Sequence, residues 1–401
     1  MAPVAALADD PAPMFSFGGF GTLGVVHSSQ HSADFTSSSA EALGAGYTHD
    51  WSAAVQSIIG AQVAANLTPK LSAVLQVISQ QNYDASFRPH VEWANLKYQF
   101  TPDFSLRVGR TALGLFFVAD SRNIGFANPW VRPPIELYSM VSVTSSNGID
   151  ASYRLHMGAA SDTFQVTVGR ADYKYPVPNS NASGDAKIKN QISLVDTYER
   201  GFATLRLSYD RAHVTIPAFT PLFDAFSEFG PEGIGIADRY NINDRLINYY
   251  GISANYDPGA WFVMAEWGRV DSHSILGDTK GWYVSGGYRV GKVTPFVTYA
   301  QVRPDSNTFD PGLNLSNLPP YLAAPAAALN AALNATLSKV ASQRTVSAGA
   351  RWDVIKNVDL KLQLDHTNLG ANSQGFLTNT QPGFRRGTGF DLINLTVDFV
   401  F

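Results

Sequence analysis

The chain has 401 residues, 15% of them charged and 12% aromatic, with 29 Lys and Arg against 33 Asp and Glu. Charged residues make up about a quarter of a typical soluble chain, so polarity here rests on Ser, Thr, Asn, Gln and Gly; a net charge of -4 leaves no basic footprint for nucleic acid. With no cysteine there is neither a disulfide nor a thiolate metal site, and no run of about 18 apolar residues exists to form a membrane helix. That exclusion does not reach barrels, whose strands hide half their residues from hydropathy averaging.

The first residues, MAPVAALADD, read as the tail of a secretory signal, with Ala6, Leu7 and Ala8 as a small-x-small cleavage site before Asp9. Residues 1–8 are therefore expected to be a signal remnant and 9–401 one domain. Sixteen segments then carry strand character by alternation or by β-branched and aromatic content: 15–28, 53–67, 70–80, 90–101, 104–111, 146–156, 163–173, 188–200, 202–213, 245–257, 260–271, 280–290, 293–303, 343–354, 358–369 and 388–401. Short turns follow the even-numbered segments, as at Thr68-Pro69, Asp257-Pro258-Gly259 and Gly291. Long loops follow the odd ones, among them 29–52, 112–145, 214–244, 304–342 and 370–387.

Short turns on one side and longer loops on the other are the pattern of an outer-membrane barrel. An even strand count lets the last strand meet the first antiparallel, so no backbone edge faces lipid. The expected fold class is all-β, a closed 16-stranded antiparallel transmembrane barrel. In the last segment Ile393, Leu395, Val397, Phe399 and Phe401 share one face and Asn394, Thr396 and Asp398 the other. Leu360, Leu362 and Leu364 likewise oppose Asp359, Lys361, Gln363 and Asp365, and Leu205, Leu207 and Tyr209 oppose Thr204, Arg206, Ser208 and Asp210. A charged inner face argues for a watery lumen. Tyr98, Tyr153, Tyr173, Tyr209, Tyr256, Trp261, Trp267, Trp282 and Trp352 lie near segment ends and suit two interfacial girdles.

Gly19, Gly21 and Gly24 match G-x-G-x-x-G by letter, but VVHSS follows, with no helical period to cradle a pyrophosphate. Small residues there suit close approach to a neighbouring wall, such as a subunit contact. The eight histidines are scattered, and His27 and His31 sit where a strand enters a loop, so no metal site is read. No G-x-S-x-G elbow or Ser-His-carboxylate set stands out. The stretch at 325–342 is the one clear helical pattern, with Leu329, Leu333, Leu337 and Val340 on one stripe and Pro325 at its start. It is expected to pack over the barrel mouth.

The long loop at 112–145 carries Asp120, Arg122, Arg132 and Glu136, with Pro129-Trp130 and Pro133-Pro134 stiffening it. With this loop, VGR at 108–110, the NPWVRPP stretch and the terminal Phe401, the chain resembles the sixteen-stranded general porins of Gram-negative bacteria over nearly its whole length. The marks resemble a porin-like subgroup rather than the osmotically regulated porins, so that family's acidic loop cluster is not carried over wholesale. The resemblance implies a non-enzymatic bacterial outer-membrane pore without cofactor, for passive diffusion of small hydrophilic solutes and ions. It implies a homotrimer among lipid and lipopolysaccharide, with Phe401 read by the assembly machinery. The loop would narrow the pore, with Asp120 and Glu136 in the loop-carboxylate role. Lys97, Arg107 and Arg154, inward by alternation, would form the facing basic wall, and Arg206, Arg289, Arg351 and Lys361 would continue the pore lining. Alternation from Arg107 aims Arg110 at lipid, so a bulge is expected at Gly109. Two other readings stay open: a plugged or substrate-specific barrel whose long loops bind a partner, and a soluble β protein.

Overall fold

The computed structural model describes residues 14–401, so the expected signal remnant at 1–8 lies outside the described residues. Sixteen long strands form one barrel: β1 (Phe15–Ser28), β2 (Ile58–Asn66), β3 (Leu71–Gln80), β4 (His90–Gln99), β5 (Phe104–Ala112), β6 (Ser145–Met157), β7 (Ala160–Pro176) and β8 (Ser183–Arg200) make the first half. The second half is β9 (Ala203–Thr215), β10 (Arg245–Tyr256), β11 (Trp261–Asp271), β12 (Thr279–Tyr288), β13 (Val293–Pro304), β14 (Gln343–Ile355), β15 (Val358–Leu369) and β16 (Gly389–Val400). Each pairs antiparallel with the next, and β16 pairs with β1 from Phe20↔Val400 to Ser28↔Leu392, which closes the sheet. Three two-residue strands lie in the loop after β1. Among the described residues no helix is long and apolar enough to cross a membrane.

The faces follow the alternation, turned inside out relative to a soluble core. Leu362, Leu364, Ile393 and Leu395 are exposed outward, whereas Lys361, Asp365, Asn394 and Asp398 are buried inward. At the short-turn end, exposed Tyr98, Phe100, Tyr153, Phe202, Tyr256, Trp261, Tyr288, Trp352 and Phe401 ring the outside, as an interfacial girdle does. Tyr173 departs from its expected place: β7 carries it into the mouth, where its hydroxyl lies 2.6 Å from Ser39 Oγ.

The second strand begins at Ile58 rather than at 53, and the β7–β8 hairpin is longer than the alternation suggests, leaving only 177–182 as its loop. Three helices cap the mouth: α2 (Thr220–Ser227), α3 (Gly230–Tyr240) and α4 (Pro320–Leu337), named after α1 (Ile135–Tyr138) of the long loop. Helix α4 starts five residues before the expected Pro325, with Pro325 inside it, and ends before Ser342. Leu333 and Leu337 of its stripe pack on Phe223, Phe226 and Ile236 from α2 and α3. Asn330 and Asn334 flank that stripe and tie α4 to the loop carbonyls of Leu313 (3.0 Å) and Asp310 (2.7 Å).

Arg110 does not sit at a bulge at Gly109. Pairing runs unbroken through Gly109 on both sides; the register shift lies on the partner strand, where Gln76 faces Trp93 and Val77 faces Val91. Gly109 instead has φ +128, and a Cβ there would come 2.3 Å from Ala94 O. Arg110 Nε then reaches Glu92 O at 3.2 Å and Ser145 Oγ at 3.1 Å, so its charge is held by polar partners at the strand end.

The small residues of β1 serve the closure of the barrel. Gly19 and Phe401 exchange two backbone hydrogen bonds, 2.9 and 3.0 Å. A Cβ on Gly19 would lie 2.3 Å from the Phe401 ring and 2.8 Å from Gly60 O. Gly19→Val is expected to cost about 1–3 kcal/mol by overpacking, seen as a smaller folded fraction by heat-modifiable mobility in detergent. In a Phe401→Ala background the same change should cost less; an equal cost would show that the ring is not what Gly19 accommodates.

Candidate functional site: a loop folded into the barrel

The segment between β5 and β6 turns inward and docks on the wall formed by β9–β16. Its apolar residues Leu113, Leu115, Phe116, Trp130 and Leu137 meet inward Tyr249, Phe262, Met264, Tyr283 and Phe296. Phe116 stacks on Tyr138 with centroids 4.5 Å apart, and Trp130 meets Tyr283 edge-on at 5.8 Å. These are the aromatic positions of a barrel interior that is not all polar. The loop buries its greasy side there and keeps its polar side toward the remaining lumen.

Polar contacts fix the register of the docking. Glu266 on β11 accepts from Phe117 N (2.8 Å), Tyr138 Oη (2.6 Å), Tyr283 Oη (2.6 Å) and Ser253 Oγ (2.8 Å), two donors from the loop and two from the wall. Burial, and after it the Glu266 charge, push the Tyr138 hydroxyl well above its ordinary range, so it stays a donor. Trp130 Nε1 donates to Ser285 Oγ at 2.8 Å and Thr298 Oγ1 at 3.1 Å.

The basic residues expected along the pore wall have a different task on this half of the barrel. Arg206 donates to Phe116 O (2.8 Å), Arg351 to Phe126 O (2.5 Å) and Lys361 to Gly125 O (2.6 Å). All three face inward as alternation requires, yet they hold the loop backbone instead of lining free space. Lys361 is also paired with Asp398 at 3.0 Å, and Arg351 with Asp359 at 3.2 Å. Arg289 makes a two-armed contact with Asp257, 2.7 Å on each arm, at the short-turn end, beside a cavity of about 330 Å³ that Arg351 and Asp353 also line.

On the other half, Lys97 faces Arg107 across β4 and β5, and Arg107 pairs with the buried Asp150 at 2.7 Å. Arg154 is exposed inward on β6, with Nε 3.4 Å from Thr163 Oγ1.

The loop's own charges also divide. Glu136 does not face the lumen: the turn after Pro133-Pro134 starts α1 and aims its carboxyl at β14, where Gln343 Nε2 (2.8 Å) and Thr345 Oγ1 donate to it. Burial raises its pKa against the pull of those donors. Asp120 is exposed on a 3-10 turn (Ala119–Ser121). Arg132 binds Asp365 at 2.5 Å and Asn394 at 2.8 Å. Arg122 has no hydrogen bond or ion pair to a described residue; its guanidinium lies 5.6 Å from the Tyr138 ring centroid. Burial lowers its pKa from the ordinary guanidinium range, and a guanidinium so placed keeps its proton.

Between the loop and the first strands remains a cavity of about 120 Å³, lined by Thr22, Gln56, Gln80, Arg122, Asn123 and Arg132 among others. Glu41, from the loop after β1, closes one side of it. Its carboxyl accepts from Ser37 N at 2.9 Å and Ser37 Oγ at 2.6 Å, but burial outweighs these bonds and raises its pKa to about 8. Glu41 and Glu266 escape a sequence reading; the only trace of Glu266 is its inward parity between Met264 and Gly268. Among the described residues no cluster of His, Cys, Asp and Glu could hold a metal ion.

No family model and no curated protein matches the chain. Solved structures do. An anion-selective porin from Comamonas acidovorans is 11% identical, with 96% of this chain and 99% of that one covered and a TM-score of 0.55. The Salmonella typhi OmpF complex with daunomycin is 13% identical, covering 96% and 97% at a TM-score of 0.54. A loop L8 deletion mutant of OmpT, an outer membrane protein of Vibrio cholerae, is 10% identical, covering 97% and 100% at 0.51. At such identities the likeness is one of fold, and it defines the class: a closed sixteen-stranded outer-membrane barrel. The chain has the porin-like form of that barrel, and this fold with its apolar outer belt places it in the bacterial outer membrane.

Proposed function

We propose that the chain is a non-catalytic channel for passive diffusion of small hydrophilic solutes and ions. The observation that carries this reading is the one-sided docking of the loop: it covers the wall of β9–β16 and leaves Lys97, Arg107, Arg154 and the amides of β2–β4 facing the lumen. Charged and amide groups on that face need water beside them. Assembly as a homotrimer fits the outer face of β2–β4, where Ala61, Ala73 and Ala94 leave a low surface for another subunit. Insertion through the cell's assembly machinery and contact with lipopolysaccharide belong to the same reading. The test is single-channel recording in a planar bilayer. Discrete open steps, in threes for a trimer, support it; protein shown to be inserted that gives no steps sinks it.

A second reading, a substrate-specific or plugged barrel, is favoured by the bridged mouth: Asn179 of the β7–β8 hairpin bonds Asn379 and Thr380, 3.0 Å each, of the loop before β16.

Glu41 sets a pH dependence. Its folded pKa of about 8 lies above the ordinary 4.5, so the folded state holds a proton the unfolded chain has lost. Its contribution to stability is thus full below 4.5 and falls as pH rises toward about 8. Through about 8 the cavity also gains a negative charge, facing Arg132 and Arg122 from the long loop and Tyr173 from β7. The reversal potential in a salt gradient should shift toward cations across that pH, and Glu41→Gln should flatten the shift.

A further inference from the structure

The free donors around the 120 Å³ cavity converge in a way the rest of the lumen does not. Arg122 and Asn123 on the loop and Gln80 on β3 all line it, and none of these three side chains bonds to another described residue. Arg107, Arg351 and Lys361 are paired with Asp150, Asp359 and Asp398, and Arg132, which shares the cavity lining, is paired with Asp365. The acids near Arg122 are occupied as well. Glu136 is turned to β14, Glu41 is closed onto Ser37, and Glu92 takes a hydrogen bond from Thr144 Oγ1 at 2.8 Å. A guanidinium with two amides beside it matches the planar, two-oxygen edge of a carboxylate, which accepts paired N–H bonds.

We propose that this cavity is a binding station for small monocarboxylates crossing the barrel, with Arg122 as the residue that holds the carboxylate. This rests on the channel reading and names its solute class. One charge on the loop and neutral donors on both sides favour a monoanion over a phosphate, which would call for a second free cation. The station is weak enough for release, because Asn123 and Gln80 contribute neutral bonds beside the single charge of Arg122. Conduction needs such a balance between entry and exit.

The experiment measures chloride current through single channels while acetate is added at constant ionic strength, for the wild type, Arg122→Gln and Arg122→Lys, each first shown folded by heat-modifiable mobility. Acetate is expected to reduce the wild-type current. In Arg122→Gln the acetate concentration that halves the current should rise about tenfold, the loss expected for one charge-assisted pair. Arg122→Lys should fall between, since a point charge restores attraction without the fork. Acetate that leaves the wild-type current unchanged, or that acts equally on the wild type and Arg122→Gln, overturns the station and leaves the channel standing. Absence of any steps from inserted protein brings down the channel reading itself.

Discussion

Glu266→Ala will loosen the constriction loop, and single-channel conductance should rise severalfold with added open-state noise. The carboxylate accepts four hydrogen bonds, from Phe117 N, Tyr138 Oη, Tyr283 Oη and Ser253 Oγ. A bond to a charged acceptor contributes about 1.5–3 kcal/mol, and a buried donor left unpaired costs about 1–3 kcal/mol. Two of the four donors belong to the loop, so docking loses several kcal/mol while the barrel keeps its strand pairing. The loop is not expelled, because Trp130 still fills its place beside Tyr283 and the Arg351 and Lys361 bonds near its tip remain. Glu266→Gln should fall between, since one amide oxygen can still accept while the amide nitrogen meets donors. Conductance and noise in Glu266→Ala equal to wild type would mean that the apolar contacts alone set the loop.

Why the barrel was readable and its interior less so comes down to what alternation encodes. In β15 and β16 the period of two assigns every residue to lipid or lumen, and Leu362, Asp365, Ile393 and Asn394 all lie where that period puts them. The parity of short and long connections then orders the strands without any tertiary information. The same period turns Lys361, Arg351 and Arg206 inward, but facing inward does not say what fills the interior. Their partners are backbone carbonyls of a loop more than 80 residues away in sequence, as the 90-residue separation of Arg206 and Phe116 shows. Glu136 misleads for a related reason: inside a long loop no periodicity tells wall side from water side, and a four-residue helix after Pro134 turned it to β14. Helix α3, GPEGIGIADRY, is hidden by three glycines that lower its intrinsic propensity. Packing of Ile236 and Ala237 into the cap holds it in place.

Locking the β7–β8 hairpin to the loop before β16 will lower conductance. In a sixteen-stranded barrel, β7–β8 and β15–β16 stand on opposite sides, so the contact of Asn179 with Asn379, Thr380 and Gln381 spans the mouth. The hairpin bends to reach it. Register shifts interrupt β7 between Gly169 and Ala171 and β8 between Lys189 and Ile192, at the same height, and Asn190 has φ 49. Paired irregularities of this kind kink and twist a ribbon. Three neutral bonds of about 0.5–1 kcal/mol each hold the tip, a factor of roughly 10 to 100 against lifting. The tip therefore opens readily on its own. A double variant, Asn179→Cys with Asn379→Cys, introduces the sole thiols into a chain that has none. Oxidation should then cut the single-channel current, and a reductant should restore it, while Asn179→Gly, which keeps the φ of 57 available, should lengthen the open events. Equal currents in the oxidised and reduced protein would show that solutes enter beside the hairpin and that its crossing of the mouth leaves conduction untouched.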